Sequence, residues 1–230
     1  MRTVRFFVFL FLAASGQLSA QDAPRYPMLA VKISPLSMVD PLSSTFAPSL
    51  TYRFHPAWAV HLEYGFQSLL LQDSNDSKRR LNPHYWEFRP EIQYYPAFAE
   101  DIGAYIALEG FTSQMDYERR NDIIQLNNGD DLRYDLAQVE RNASGIILKG
   151  GATLLFDKGF ILELFAGMGY RHRFIRVYDL VNPTIDTFFR DRRFFPPADT
   201  RPGTKHTLQI SLGFRLGWVL AWGKQPTVGG

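Results

Sequence analysis

The sequence predicts an all-β protein: an eight-stranded antiparallel transmembrane β-barrel, wound as an up-and-down meander behind an N-terminal signal peptide. Three observations predict it. Apolar and polar residues alternate with a period of two along most of the chain, so each run has one greasy and one polar face. No apolar run reaches the roughly 18 residues of a membrane helix. Short and long connections take turns between the runs, the asymmetry of barrels with short periplasmic turns and long external loops.

The first element is the leader. Arg2 and Arg5 precede an apolar stretch, Phe6–Ala14, and a small-residue segment, Ser15–Ala20. That order reads as a secretory signal peptide cut after Ala20. The expected organisation is then 1–20 signal peptide, 21–28 short periplasmic leader, 29–222 barrel and 223–230 periplasmic tail.

The alternating runs follow in order. Leu29, Val31 and Ile33 oppose Ala30, Lys32 and Ser34. Phe46, Leu50, Tyr52 and Phe54 oppose Ala47, Ser49, Thr51 and Arg53. The third run sets Trp58, Val60, Leu62, Tyr64 and Phe66 against His61, Glu63 and Gln67. In the fourth, "WEFRPEIQYY" (Trp86–Tyr95), Trp86, Phe88, Ile92 and Tyr94 oppose Glu87, Arg89, Glu91 and Gln93. Ala104, Ile106 and Leu108 oppose Tyr105 and Glu109. Ile146, Leu148, Leu154 and Phe156 oppose Lys149, Gly151 and Thr153. Phe160, Leu162, Leu164, Met168 and Tyr170 oppose Glu163, Gly167, Gly169 and Arg171. Leu208, Ile210, Leu212, Leu216 and Trp218 oppose Gln209, Ser211 and Arg215. These are eight strands, most about ten residues long, and roughly 9–11 residues cross a bilayer at a tilt.

The links at 55–57, 96–101 and 157–159 are short; those at 72–83, 113–142 and 173–204 are long and polar, with "YDLAQVE" (Tyr134–Glu140) a candidate short helix. Pro90 removes a ladder donor from a strand with no free edge, so a bulge is expected there.

Composition bounds the chemistry. With 230 residues, a formal net charge of +2 and no cysteine, the chain has no strong electrostatic partner, disulfide or thiolate metal site. Phosphate loops, zinc-helix motifs and dinucleotide fingerprints are absent, so no cofactor and no nucleic acid is expected.

The polar faces hold small residues and ten charges, five of each sign: Lys32, Arg53, Arg89, Lys149 and Arg215 against Glu63, Glu87, Glu91, Glu109 and Glu163. An interior just wide enough for side chains suits such a balanced network. Turning the ten charges to lipid would cost on the order of 20 kcal/mol. Rings near the run ends, at Phe54, Trp58, Tyr94, Phe156, Phe160 and Trp218 on one side and Phe66, Trp86 and Tyr170 on the other, match the two headgroup zones.

The stretches "VKISPLSMVDP", "RPEIQYY", "AYIALEGF" and "GFILELFAGMGYRHR" resemble an uncharacterised family of Bacteroidota outer-membrane proteins, a domain of unknown function. The resemblance implies an eight-stranded barrel of the OmpA/OmpX-like kind and carries no known catalytic residues. One departure concerns the C-terminus, where Trp218 and Trp222 are followed by "GKQPTVGG" rather than ending the chain.

The expected role is structural or interactive in the outer membrane of a Gram-negative envelope. The barrel is expected to be monomeric, in contact with lipid and lipopolysaccharide, and open to an outer-membrane protein partner. Two alternatives stand beside it. Ser144, His172 and His206 lie near the external ends of neighbouring strands, and a hydroxyl beside imidazoles there suits a lipid A-modifying enzyme. A soluble lipocalin-like binder is the other. The basic clusters Lys78–Arg80 and Arg190–Arg193 suit lipopolysaccharide phosphates.

Overall fold

The computed structural model describes residues 27–38, 45–67, 80–98, 102–125, 131–186 and 202–222. The expected signal peptide, residues 1–20, and tail, 223–230, lie outside them, as do most of the leader and the Arg190–Arg193 cluster.

The chain forms one antiparallel sheet in sequence order. Its strands are β1 (Met28–Ile33), β2 (Thr45–Phe46), β3 (Pro48–His55), β4 (Trp58–Gln67), β5 (Arg80–Phe98), β6 (Ile102–Gln125), β7 (Asp131–Leu155), β8 (Phe160–Val181), β9 (Thr184–Asp186) and β10 (Gly203–Trp222). One helical turn, α1 (Pro35–Met38), follows β1. Consecutive strands pair from β3 through β8, β10 pairs β8, and β1 pairs both β10 and β3. β4 pairs β3 on one side and β5 on the other. β2 extends the β3 line against β4, and β9 caps the far end of β7.

Turn chemistry explains the short ends. Pro56 and Ala57 make a tight turn between β3 and β4. A 3-10 turn at Asp157–Gly159 links β7 to β8, with Lys158 at φ 64° and Gly159 at φ 80°. Two consecutive left-handed residues suit a glycine at the second.

Several expectations need correction. The polar stretches Ser113–Asn142 and Arg173–Thr204 are predicted as loops, yet β6 runs to Gln125, β7 starts at Asp131 and β8 runs to Val181. The long strands reach 25 residues instead of about ten. The "YDLAQVE" segment is strand within β7, not helix. Residues 80–83, also read as loop, open β5.

The physical reason is a swap of polarity between faces on strands that keep their parity. On lower β6, Ile106 and Leu108 are exposed while Tyr105, Ala107 and Glu109 are buried. Further on, Met115 and Tyr117 are buried, and the other face carries Gln114, Asp116 and Glu118. A search for apolar residues on one constant face misses the second half.

The bulge expected at Pro90 does not form. Phe88 pairs with Thr112 and Glu91 with Glu109 in one unbroken register, and Leu62 pairs with Pro90 across β4. The Pro90 ring faces Gly110, where even a Cβ would sit at an ordinary 3.8 Å from Pro90 Cγ, so the ring meets no crowding across the strands.

Candidate functional site

The buried face of the sheet concentrates the charges. Lys32, Arg53, Glu63, Glu91, Glu109, Lys149, Glu163 and Arg215 are buried, and Glu87 and Arg89 half-buried. The strands that carry them expose apolar residues on the other face, among them Val31, Tyr52, Leu62, Ile92, Leu108, Leu148, Leu164 and Leu212. Strand alternation alone separates the two sets.

Arg215 is the hub. Its Nη1 donates to Glu163 at 2.6 Å, its Nη2 to Glu91 at 3.1 Å and its Nε to Glu63 at 3.2 Å, with Glu109 3.7 Å away. Lys149 pairs with Glu109 and, at 3.2 Å, with Glu91. Lys32 pairs with Glu163. Arg89 holds Glu87 at 2.9 Å and Glu109 at 3.2 Å. Remaining lone pairs are met by neutral donors: Ser34 to Glu63 at 2.7 Å, Tyr105 to Glu163 at 2.8 Å, Gln93 to Glu91 at 2.7 Å. Such satisfaction is what makes buried ion pairs tolerable, since each ion taken from water costs several kcal/mol.

Arg53 belongs elsewhere. It sits at the short-turn end, donates to the Pro56 carbonyl and places its guanidinium 3.9 Å from the Tyr95 ring centroid. Lys149 and Arg215 also lie near a second aromatic ring, 4.5 and 4.6 Å from the Phe165 centroid.

Glycines make the slots for these groups. A Cβ on Gly151 would fall 2.4 Å from Tyr105 Cζ, and one on Gly213 2.7 Å from Phe165 Cζ. On Gly167 and Gly217 it would press on the stems of Lys149 and Lys32, both at 2.7 Å.

The exposed face has its own row. Ser144 is the register partner of His172, and His172 of His206. The two imidazole centroids are 5.1 Å apart, and His206 Nδ1 is hydrogen-bonded with the Tyr170 hydroxyl. Thr112 continues the row on β6. Below it lie Ile146, Tyr170 and Leu208; above it lie Gln114, Asn142, Phe174 and Thr204. Among the described residues no carboxylate contacts either imidazole, so a hydroxyl–imidazole–acid relay is not assembled there. Nor is any group of three or more His, Asp or Glu among them placed to hold a metal ion.

A family model described as "Protein of unknown function (DUF3575)" matches residues 6–199. The chain belongs to this family. No curated protein and no solved structure matches it significantly. The match takes in the strands that carry every network residue except Arg215, which lies beyond residue 199 on β10.

Several buried partners of this DUF3575 chain were not singled out from the sequence. His61 is fully buried, bonded through Nδ1 to Thr51 at 2.8 Å, with Nε2 3.8 Å from Glu63. Tyr95 and Tyr105 fill the short-turn end at 5.4 Å between centroids. Parity alone marks all of them, because each shares the face of a charged neighbour. A cavity of about 230 Å³ lies against the network toward the long-link end, bordered by Glu87, Arg89, Phe111 and Arg171.

Proposed function

We propose that the chain is an eight-stranded outer-membrane β-barrel whose interior is sealed by its ionic network, with a non-enzymatic structural or interaction role in a Gram-negative envelope. The observation that carries this reading is the swap of polarity between the two faces. Between β6 Ile102 and the Thr112–Ser144–His172–His206 row, the outer face is apolar, with Ile106 53%, Leu148 58% and Leu212 77% exposed. Beyond the row the same face becomes mainly polar, Phe174 and Tyr178 excepted, and the inner face gains an apolar cluster, Met115, Tyr117, Val139 and Ile175, next to the buried pair Arg119 and Asp122. Water alone would favour one polarity along the whole strand. Lipid below and water above favour the reversal.

Closure into a barrel is supported by the pairing. Eight strands, β1, β3 to β8 and β10, each have two partners. Arg215 on β10 and Glu91 on β5 are four strands apart along either route of the pairing order, yet bonded. Exposed-face ring pairs at the short-turn end, Trp58–Tyr94 at 4.8 Å and Phe160–Trp218 at 5.1 Å, suit one headgroup zone; Phe46–Phe66 at 5.3 Å and Tyr170 suit the other. Short turns then face the periplasm and the long hairpins the outside. The resemblance to Bacteroidota outer-membrane proteins points the same way. Eight strands with a filled interior leave no solute channel.

The register of Ser144, His172 and His206 is the one observation that favours a lipid-modifying enzyme as a second reading. Ser144→Ala separates the two, because an enzyme loses lipid A modification and a structural barrel keeps it.

The first reading is tested by expressing the full chain in a Gram-negative host. The expected result is recovery with outer membranes after carbonate washing and a band whose mobility changes on boiling. A carbonate-soluble chain of constant mobility would falsify the barrel and return the soluble binder. A pull-down in mild detergent tests the interaction role, which predicts a stoichiometric second protein.

A further inference from the structure

Between Gly203 and Arg215, β10 has β8 on one side and, among the described residues, no strand on the other; β1 pairs it only from Leu216 onward. The turn α1 packs against β10 and β2 at this place. The cavity lies against this edge. A continuous wall shows alternate residues to an interior, but here Gln209, Ile210, Ser211, Leu212, Gly213 and Phe214 border the cavity consecutively. That happens where a space reaches around a strand edge. Leu36 of α1 borders it from the opposite side. The stretch also carries the most exposed large apolar side chains described, with Leu208, Ile210 and Leu212 at 71, 72 and 77%.

The polar side of the cavity holds a cation without a counterion. Arg171 Nη1 donates to Gln209 at 3.2 Å, its buried Nε has no hydrogen-bond partner, and among the described residues it pairs with no carboxylate. The nearest acid on the cavity wall, Glu87, is already held by Arg89 at 2.9 Å, and Glu63 by Arg215 at 3.2 Å. The paired network counts five carboxylates and four cations, so Arg171 brings the sum to neutral. Arg141 and Arg173 lie within electrostatic reach of Arg171, and Lys205 stands opposite Arg173 in register.

We propose that this side opening takes one anionic membrane lipid, its phosphate headgroup at Arg171 and its acyl chains leaving past Ile210, Leu212 and Leu36 into the outer leaflet. The cavity volume fits a headgroup and not a whole lipid. Apolar residues on one side and an unpaired guanidinium on the other fit the two halves of such a molecule. The inference rests on the membrane reading above.

The test is native mass spectrometry of the full chain, folded in nonionic detergent and checked for its heat-dependent mobility. Phosphatidylglycerol and phosphatidylcholine with identical chains are titrated separately. The expected result is one phosphatidylglycerol retained per chain, bound about tenfold more weakly or worse by Arg171→Gln. Ser211→Phe, which fills the cavity without touching charge, is expected to abolish retention. Arg176→Gln, an exposed arginine on the opposite face of β8, is expected to leave it unchanged. Equal retention of both lipids, or unchanged retention in folded Arg171→Gln and Ser211→Phe, overturns the proposal while leaving the barrel intact. Retention of inorganic phosphate that excludes the lipid overturns it in favour of a water-soluble anion site. A chain that never shows the mobility shift overturns the barrel reading and this one together.

Discussion

Arg215 and Glu91 meet at 3.1 Å across the middle of the molecule, from strands that never touch each other. The contact ties β10 to β5 through side chains alone. It also leaves a large penalty if one partner goes, because a buried charge without its mate costs about 3–5 kcal/mol.

Arg215→Met is therefore expected to destabilise the folded chain by at least about 3 kcal/mol, since several carboxylates lose the same partner. Denaturant unfolding in detergent, followed by tryptophan fluorescence, reads this out. A double-mutant cycle with Glu91→Gln should show strong coupling, as the two groups share one network. Independent, additive losses would mean that the hub does not exist in solution.

The slot at Gly151 makes a second expectation. Its Cα lies so close to the Tyr105 ring that a methyl group would stand 2.4 Å from Cζ. Gly151→Ala should cost about 1–3 kcal/mol by overpacking. Tyr105→Leu should recover part of that loss in the double variant, although Glu163 then forfeits the 2.8 Å hydroxyl donor. No recovery would place the strain elsewhere.

Depth along the exposed face should set the cost of a charge. Leu148→Arg, in the middle of the apolar belt, is expected to cost about 2–4 kcal/mol, and Gln114→Arg, above the Thr112–Ser144 row, about 0–1 kcal/mol. Reversible unfolding into lipid vesicles measures both. Equal costs would remove the membrane boundary from that row.

The β6–β7 hairpin beyond the row packs its own apolar clusters, Met115 with Val139 and Ile124 with Tyr134. Replacing 114–142 by a four-residue turn should leave the heat-dependent gel shift intact. Loss of the shift would show that the outer hairpin, and not the belt, holds the strands together.

The sequence made the lower half legible and the upper half not. Glu63 and Arg215 were readable because each sits between two bulky apolar residues at strand spacing, and Glu91 because it sits between Pro90 and Ile92. Met115, Tyr117 and Val139 hid the same alternation, because on them the solvent is reversed and the polar face is the outer one. Pro90 misled for a different reason: Phe88 with Thr112 and Glu91 with Glu109 hold one register on either side of it, which the proline itself does not reveal. Strand parity sets Ser144, His172 and His206 on one face, where the register makes them neighbours, but parity says nothing about whether an acid stands behind an imidazole. The opening beside β10 had no sequence signal at all, since it depends on where β1 stops.

Met28 and Trp222 are register partners, so the first strand and the last one share a seam. Joining them closes a loop of nearly the whole chain, the slowest kind of contact to find by diffusion. β1 has only six residues to hold that seam. The last strand must therefore be made before the first can pair on both of its edges, and until then β1 has β3 alone to hold it.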